Sequence, residues 1–141
     1  DLEDLPDFYI LCNHSDDMVF TEFGFDDVIR QYCGLDDFVH FPDGYAEERV
    51  CTYSIFGKDY FKRFGYIYHP DYFSVYSDNE QTDVAKILGK HKFVNKRILR
   101  HEHPVAGYGK PDALLRRTEA AEFYQKDRQT YLRRKAINFD L

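Results

Sequence analysis

The apolar run Phe8-Tyr9-Ile10-Leu11-Cys12, followed at once by Asn13-His14-Ser15-Asp16-Asp17-Met18, constrains this chain more than any other feature. Five apolar residues bounded by turn residues have the length and texture of a strand covered on both faces. Such strands belong to parallel or mixed sheets flanked by helices, so the expected class is α/β with a mixed sheet. In these sheets ligands gather just beyond the carboxyl ends of the strands, which is where Asp16 and Asp17 fall. Adjacent carboxylates repel one another unless something compensates them, and a hard divalent cation that keeps some of its waters does so economically. The alternative is a solvated turn in which Ser15 or Asp16 caps the following segment.

Further along, Phe25, Val28, Ile29 and Tyr32 fall on one helical face, with Gly34 beyond, so residues 25–33 are predicted to be a short packing helix. Phe38 to Phe41 is a predicted strand stopped by Pro42-Asp43-Gly44, a turn signal that assigns Asp43 a structural task. A strand over Val50 to Phe56 breaks at Gly57. Residues 58–65 then read as a two-turn helix with Tyr60, Phe61 and Phe64 on its apolar face and Gly65 at its end. Phe93 to Leu99 is another predicted strand, leading into His101 and His103, whose alternation directs both imidazoles to the same side of an extended backbone. Pro111 opens a long charged helix over 112–135, with Leu114, Leu115, Phe123, Tyr124 and Tyr131 as its buried stripe.

The segment from Phe73 to Ala85 carries an aromatic run into the head of a helix, with Asp78 and Glu80 in the first turn. A helix N-terminus presents unpaired N–H groups and partial positive charge, which hold a carboxylate ionised and in place. That suits a general base. Ser77 and Glu80 also satisfy the S-x-x-E capping box, whose task is structural.

Composition narrows the classes. The chain has 141 residues, enough for one domain with a core, and its 12 Tyr and 13 Phe exceed ordinary usage; aromatic rings serve either core filling or the stacking of sugars and bases. Residues 1–90 hold 7 basic and 19 acidic side chains, whereas residues 91–141 hold 12 and 6. The acidic half argues against a general nucleic-acid binder. The basic tail reads as a solvated helix face, or as peripheral contact with a partner or a membrane surface. Three widely spaced cysteines without C-x-x-C indicate neither a disulfide framework nor a zinc knuckle, so a reducing, cytoplasmic setting is expected. No apolar run approaches the roughly 20 residues that span a bilayer.

In this order, Ser15-Asp16-Asp17, the block from Ile55 to Gly65 and Ser77-Asp78-Asn79-Glu80 resemble the C-terminal half of a GT-A-fold glycosyltransferase, family 2 being the nearest comparison. The resemblance spans about residues 7–104. It divides the chain into a partial catalytic domain over 1–110, without the family's N-terminal nucleotide-binding half, and a charged helix over 111–141; a fragment of a longer enzyme is the expectation. It implies Mn²⁺ or Mg²⁺ on Asp16 and Asp17, with His103, or else His101, as a further ligand. It also implies Asp78 or Glu80 as the base. The donor is then a nucleotide-diphosphate sugar and the acceptor a sugar or glycan hydroxyl, stacked by Tyr66, Tyr68, Tyr72 or Tyr76. Two rivals use the same residues: a metal-dependent nucleotidyltransferase or phosphohydrolase, and a non-catalytic interaction domain docking through Arg133, Arg134 and Lys135.

Overall fold

The structure, a computed structural model, describes residues 8–104, 107–108, 110 and 121–141. It is α/β. Strands β1 (Ile10–Cys12), β3 (Phe38–His40), β4 (Ser54–Gly57) and β5 (His91–Phe93) form one sheet in the order β1-β4-β3-β5, and β2 (Met18–Phe20) pairs with β6 (Leu99–His101) in a separate ribbon. The sheet is mixed, because β1, β4 and β3 are antiparallel neighbours while β5 runs parallel to β3. The helices are α1 (Phe25–Tyr32), α2 (Lys58–Phe64), α3 (Ser77–Ile87) and α4 (Ala121–Ala136), the last followed by a 3-10 turn at Asn138–Asp140. Among the described residues no helix is long and apolar enough to cross a membrane.

Alternation along the strands divides the core in two. Leu11, Phe56 and Phe38 lie in register on one face, where Phe38 and Phe56 pack with Tyr60 and Phe61 of α2 and Ala85 of α3. Val39 and Ile55 face the other way, toward Ile29 of α1, Met18 of β2 and Leu99 of β6. The two inner strands β3 and β4 are buried at every position. Even His40 is enclosed, its Nδ1 3.2 Å from Nε2 of His91. Burial and the His91 ring push its pKa down to about 4, so it packs as a neutral ring.

Three strand expectations change. The run Phe8–Cys12 yields the edge strand, paired among the described residues with β4 alone and half-exposed, with Tyr9 turned to solvent. Its apolar character serves α2, since Phe8 stacks edge-on against Phe61 at 5.8 Å. The strand expected over 50–56 begins only at Ser54. The strand expected over 93–99 is two separate ones, β5 and β6, which serve different sheets. The helices at 25–33, 58–65 and 78–88 appear within a residue or two of their expected bounds.

Gly57 explains how α2 is seated. Its own N–H donates to the Asp37 carbonyl, and the Asp59 and Tyr60 N–H groups donate to that of Leu35 at 2.8 and 3.3 Å, so donors in the first turn of α2 are satisfied by the preceding loop. That contact leaves no room for a side chain: a Cβ at position 57 would lie 2.1 Å from the Gly34 carbonyl oxygen and 2.2 Å from that of Leu35. Both neighbours are backbone and cannot swing away. Gly57→Ala is therefore expected to lower stability by about 1–3 kcal/mol or more, read as a fall in the urea midpoint, with the loss reaching α2.

Candidate functional site

A cleft of about 770 Å³ opens where the β1–β2 loop, the end of β6 and the head of α3 meet. Two regions of the chain supply its chemistry. The first is Ser15, Asp16, Asp17 and His101 with His103, Tyr45, Arg49 and Thr52; the second is Tyr68, the segment from Ser74 to Asn79 including Tyr76 and Asp78, and Tyr124 of α4. Most of the residues singled out in the sequence, distant from one another along the chain, thus share one cavity.

In the first region His101 lies between two carboxylates. Its Nε2 is 3.1 Å from Oδ2 of Asp17 and its Nδ1 is 3.3 Å from Oδ2 of Asp43. Burial alone would lower the His101 pKa, but the two carboxylates outweigh it and raise it above the ordinary value. Burial likewise works against ionisation of Asp17, yet hydrogen bonds from Ser15 and His101 hold its pKa below the usual range. Asp16 is exposed at the rim. His103 stacks on Tyr45, ring centroids 5.9 Å apart, and lies 5.4 Å from the His101 ring.

Among the described residues no three His, Cys, Asp or Glu side chains converge as a metal cage. The donor pair nevertheless fits a hard divalent ion. Asp17 Oδ2 and His101 Nε2 meet at 3.1 Å as a hydrogen-bonded pair, and an ion held by both would take the place of the proton between them. Ions of this kind are commonly held by one or two protein ligands, with substrate phosphates and water completing the sphere.

The second region is built by a helix head and the helix that clamps it. Asp78 is half-buried in the first turn of α3 and accepts a hydrogen bond from the Asn79 N–H. Desolvation dominates and raises its pKa, moving the carboxylate toward the strength a general base needs near neutrality. Tyr68 accepts a hydrogen bond from Nδ2 of Asn13 at 2.8 Å, and Tyr76 meets Tyr124 hydroxyl to hydroxyl at 2.8 Å.

Glu80 has a different role. It is 4% exposed and outside the cleft, gripped by the Arg134 guanidinium through Nε at 2.8 Å and Nη2 at 2.8 Å, and it accepts the Tyr72 hydroxyl at 2.6 Å. There is no capping box, for the N-cap of α3 is Tyr76, with φ 65° and no side-chain cap bond. Tyr72 is likewise committed to Glu80. Tyr66 lines a separate cavity of about 30 Å³ beside Phe61 and Phe64.

The buried side of α4 is not the apolar stripe expected from its sequence. Asp127 and Arg134 are its two buried residues, while Leu114, Leu115 and the first part of the expected helix lie outside the described residues. The Asp127 carboxylate receives the N–H groups of Phe73, Ser74 and Val75 at 2.7–3.0 Å and so anchors the segment entering α3. The basic residues assigned to partner docking are engaged within the chain: Arg133 with Asp71, Arg134 with Glu80 and Asp140, and Lys135 with Asp83. Arg134 is too buried to meet a partner. Sequence reasoning missed Asp43, Asn13, Arg49, Thr52, Tyr45 and Tyr124 as part of the site and Asp127 as its anchor; the one available signal was the polar spacing of Asp127 and Arg134, two helical turns apart on one face.

These environments separate the two acids of α3. A raised pKa means that the folded state resists ionising Asp78, so the group withdraws stability above its folded pKa and ceases to do so as pH falls toward the ordinary carboxylate value. Asp78→Asn is expected to raise the melting temperature at pH 7, with the gain shrinking toward about pH 4. Glu80→Ala removes the buried carboxylate that holds Arg134 through Nε and Nη2, leaving the exposed Asp140 as its remaining carboxylate among the described residues, and is expected to cost roughly 3–5 kcal/mol. No protein-family model matches the chain, and no curated protein or solved structure is significantly similar to it, so the cleft itself carries the functional reading.

Proposed function

We propose that this cleft transfers a sugar from a nucleotide-diphosphate sugar to an acceptor hydroxyl, with inversion, as a GT-A-like, metal-dependent glycosyltransferase. The observation that carries the reading is the shared cavity. It combines an O,N donor pair, Asp17 and His101, with a desolvated carboxylate, Asp78, that has no cationic partner among the described residues. Asp16 and His103 border the same space and complete the expected metal side.

Asp78 accepts the proton of the acceptor hydroxyl as that oxygen forms its bond to the anomeric carbon. The bond from that carbon to the diphosphate breaks, and its electron pair leaves on the phosphate oxygen. Attack from the face away from the leaving group inverts the centre, as in inverting glycosidases with a sugar hydroxyl in place of water. Asp17 and His101 are the residues that would hold Mn²⁺ or Mg²⁺, which when bound would supply Lewis-acid neutralisation of the departing diphosphate. Tyr68 and Tyr76 offer ring faces and hydroxyls to the acceptor; both border the cleft that contains Asp78. Glu80 is assigned to the scaffold.

The decisive experiment incubates the chain with Mn²⁺, a set of nucleotide-diphosphate sugars and simple saccharide acceptors, and identifies the phosphate product. Metal-dependent release of nucleoside diphosphate is expected, whereas pyrophosphate would indicate nucleotidyl transfer. Asp78→Asn should slow transfer by about 10²–10⁴-fold, the usual worth of a positioned base, and leave metal-dependent donor binding intact. Full transfer by Asp78→Asn would place the base elsewhere.

A further inference from the structure

Asp43 stands out as a buried acid that the reaction above does not use. It lies in the Pro42-Asp43-Gly44 turn, is 2% exposed, and its carboxylate is saturated. Oδ1 accepts the N–H groups of Tyr45, Ala46 and Glu47 at 2.8, 2.8 and 3.1 Å, and Oδ2 accepts the Thr52 hydroxyl at 2.6 Å. A carboxylate held by four donors cannot rotate to suit a neighbour. The neighbour must suit it, and that neighbour is Nδ1 of His101 at 3.3 Å. The His101 backbone is tied to the same residue, its N–H donating to the Asp43 carbonyl at 2.9 Å.

An ionised carboxylate only accepts hydrogen bonds, so each His101 ring nitrogen donates to the carboxylate it faces, and the enclosed contact of Nδ1 with Asp43 is the one that a cation in the cleft does not reach. The other nitrogen, Nε2, is then the one that points toward Asp17 in the cleft. Metal-binding imidazoles are characteristically held in this manner, with the non-ligating N–H donated to a carboxylate that fixes tautomer and ring orientation. We infer that Asp43 is the positioning residue that presents His101 Nε2, rather than the imidazole of His103, as the nitrogen donor beside Asp17 for a divalent cation. The inference rests on the metal-dependent reading of the cleft and names which of the two histidines serves it. Arg49, Thr52 and Tyr45 border the same space, but none of them contacts the His101 ring nitrogens in the way Asp43 does.

The test uses Mn²⁺ alone, titrated into the chain and followed by the electron paramagnetic resonance signal of the free ion, for wild type, Asp43→Asn, His101→Ala and the double variant. Asp43→Asn is expected to weaken binding about 10–100-fold. His101→Ala should weaken it at least as much, and the double variant should be no weaker than His101→Ala, because a residue acting through an absent ring has nothing left to lose. The urea midpoint of Asp43→Asn, measured beside the titration, separates loss of the orienting bond from loosening of the turn.

Wild-type affinity in Asp43→Asn, or losses that multiply in the double variant, would each overturn the role of Asp43 and leave the metal reading standing. Absence of Mn²⁺ binding in the wild type would remove the metal reading and this inference with it.

Discussion

The buried ion pair between Glu80 and Arg134 ties the two halves of the charge distribution together. One guanidinium holds both carboxylate oxygens of Glu80, and its remaining nitrogen reaches Asp140 at 3.0 Å. A planar, permanently charged fork is the side chain suited to this, since a lysine could supply neither the bidentate geometry nor the third contact. Taking both ions out of water is costly, so the pair is weak as a source of net stability and strong as a constraint on geometry. If α4 shifts, a carboxylate is left buried without its partner. Arg133, Arg134 and Lys135 of α4 pair with Asp71, Glu80 and Asp83, so the end of the basic segment is a clamp on the acidic body.

That clamp explains why α3 can start as it does. Tyr76 adopts a left-handed conformation at the N-cap, which costs a residue with a side chain roughly 1–2 kcal/mol. The conformation is over-determined by its surroundings: Asp127 fixes the three preceding N–H groups, and the Tyr76 ring packs against Tyr124 and Tyr131 of α4. Strain of this kind persists where neighbouring structure enforces it, and here it sets the entry of α3 and therefore the position of Asp78. The two acids of one helical turn then diverge, one neutralised and structural, the other desolvated and without a cation among the described residues.

Local periodicity made the class, the mixed sheet and three of the helices legible, because amphipathic spacing and terminal glycines are properties of short stretches. Asp16, Asp17, Asp78, His101 and His103 were legible as candidates for the same reason: each follows a strand or heads a helix. What could not be read were pairings across the chain. Asp43 and His101 are 58 residues apart, and nothing local distinguishes a turn aspartate from one that also orients an imidazole. Glu80 fitted a capping box, but its partner stands 54 residues away on α4. The buried face of α4 escaped an apolar search because its centre is an aspartate and an arginine. The edge position of β1 was hidden too, as apolar content reports burial by helices as readily as burial by strands.

Polar anchoring has a consequence for how the cleft behaves as a unit. An apolar stripe can slide or rotate by a few degrees at little cost, because dispersion contacts are non-directional. The contacts of Asp127 and Arg134 are directional hydrogen bonds to charged groups in a buried setting, so displacement breaks them outright. Displacing the helix would leave several buried polar groups without their partners. Tyr124 borders the cleft from the same helix that holds the Phe73 to Val75 segment. The part of the cleft lined by Tyr76, Asp78 and Tyr124 is in this way tied to α4 through polar geometry.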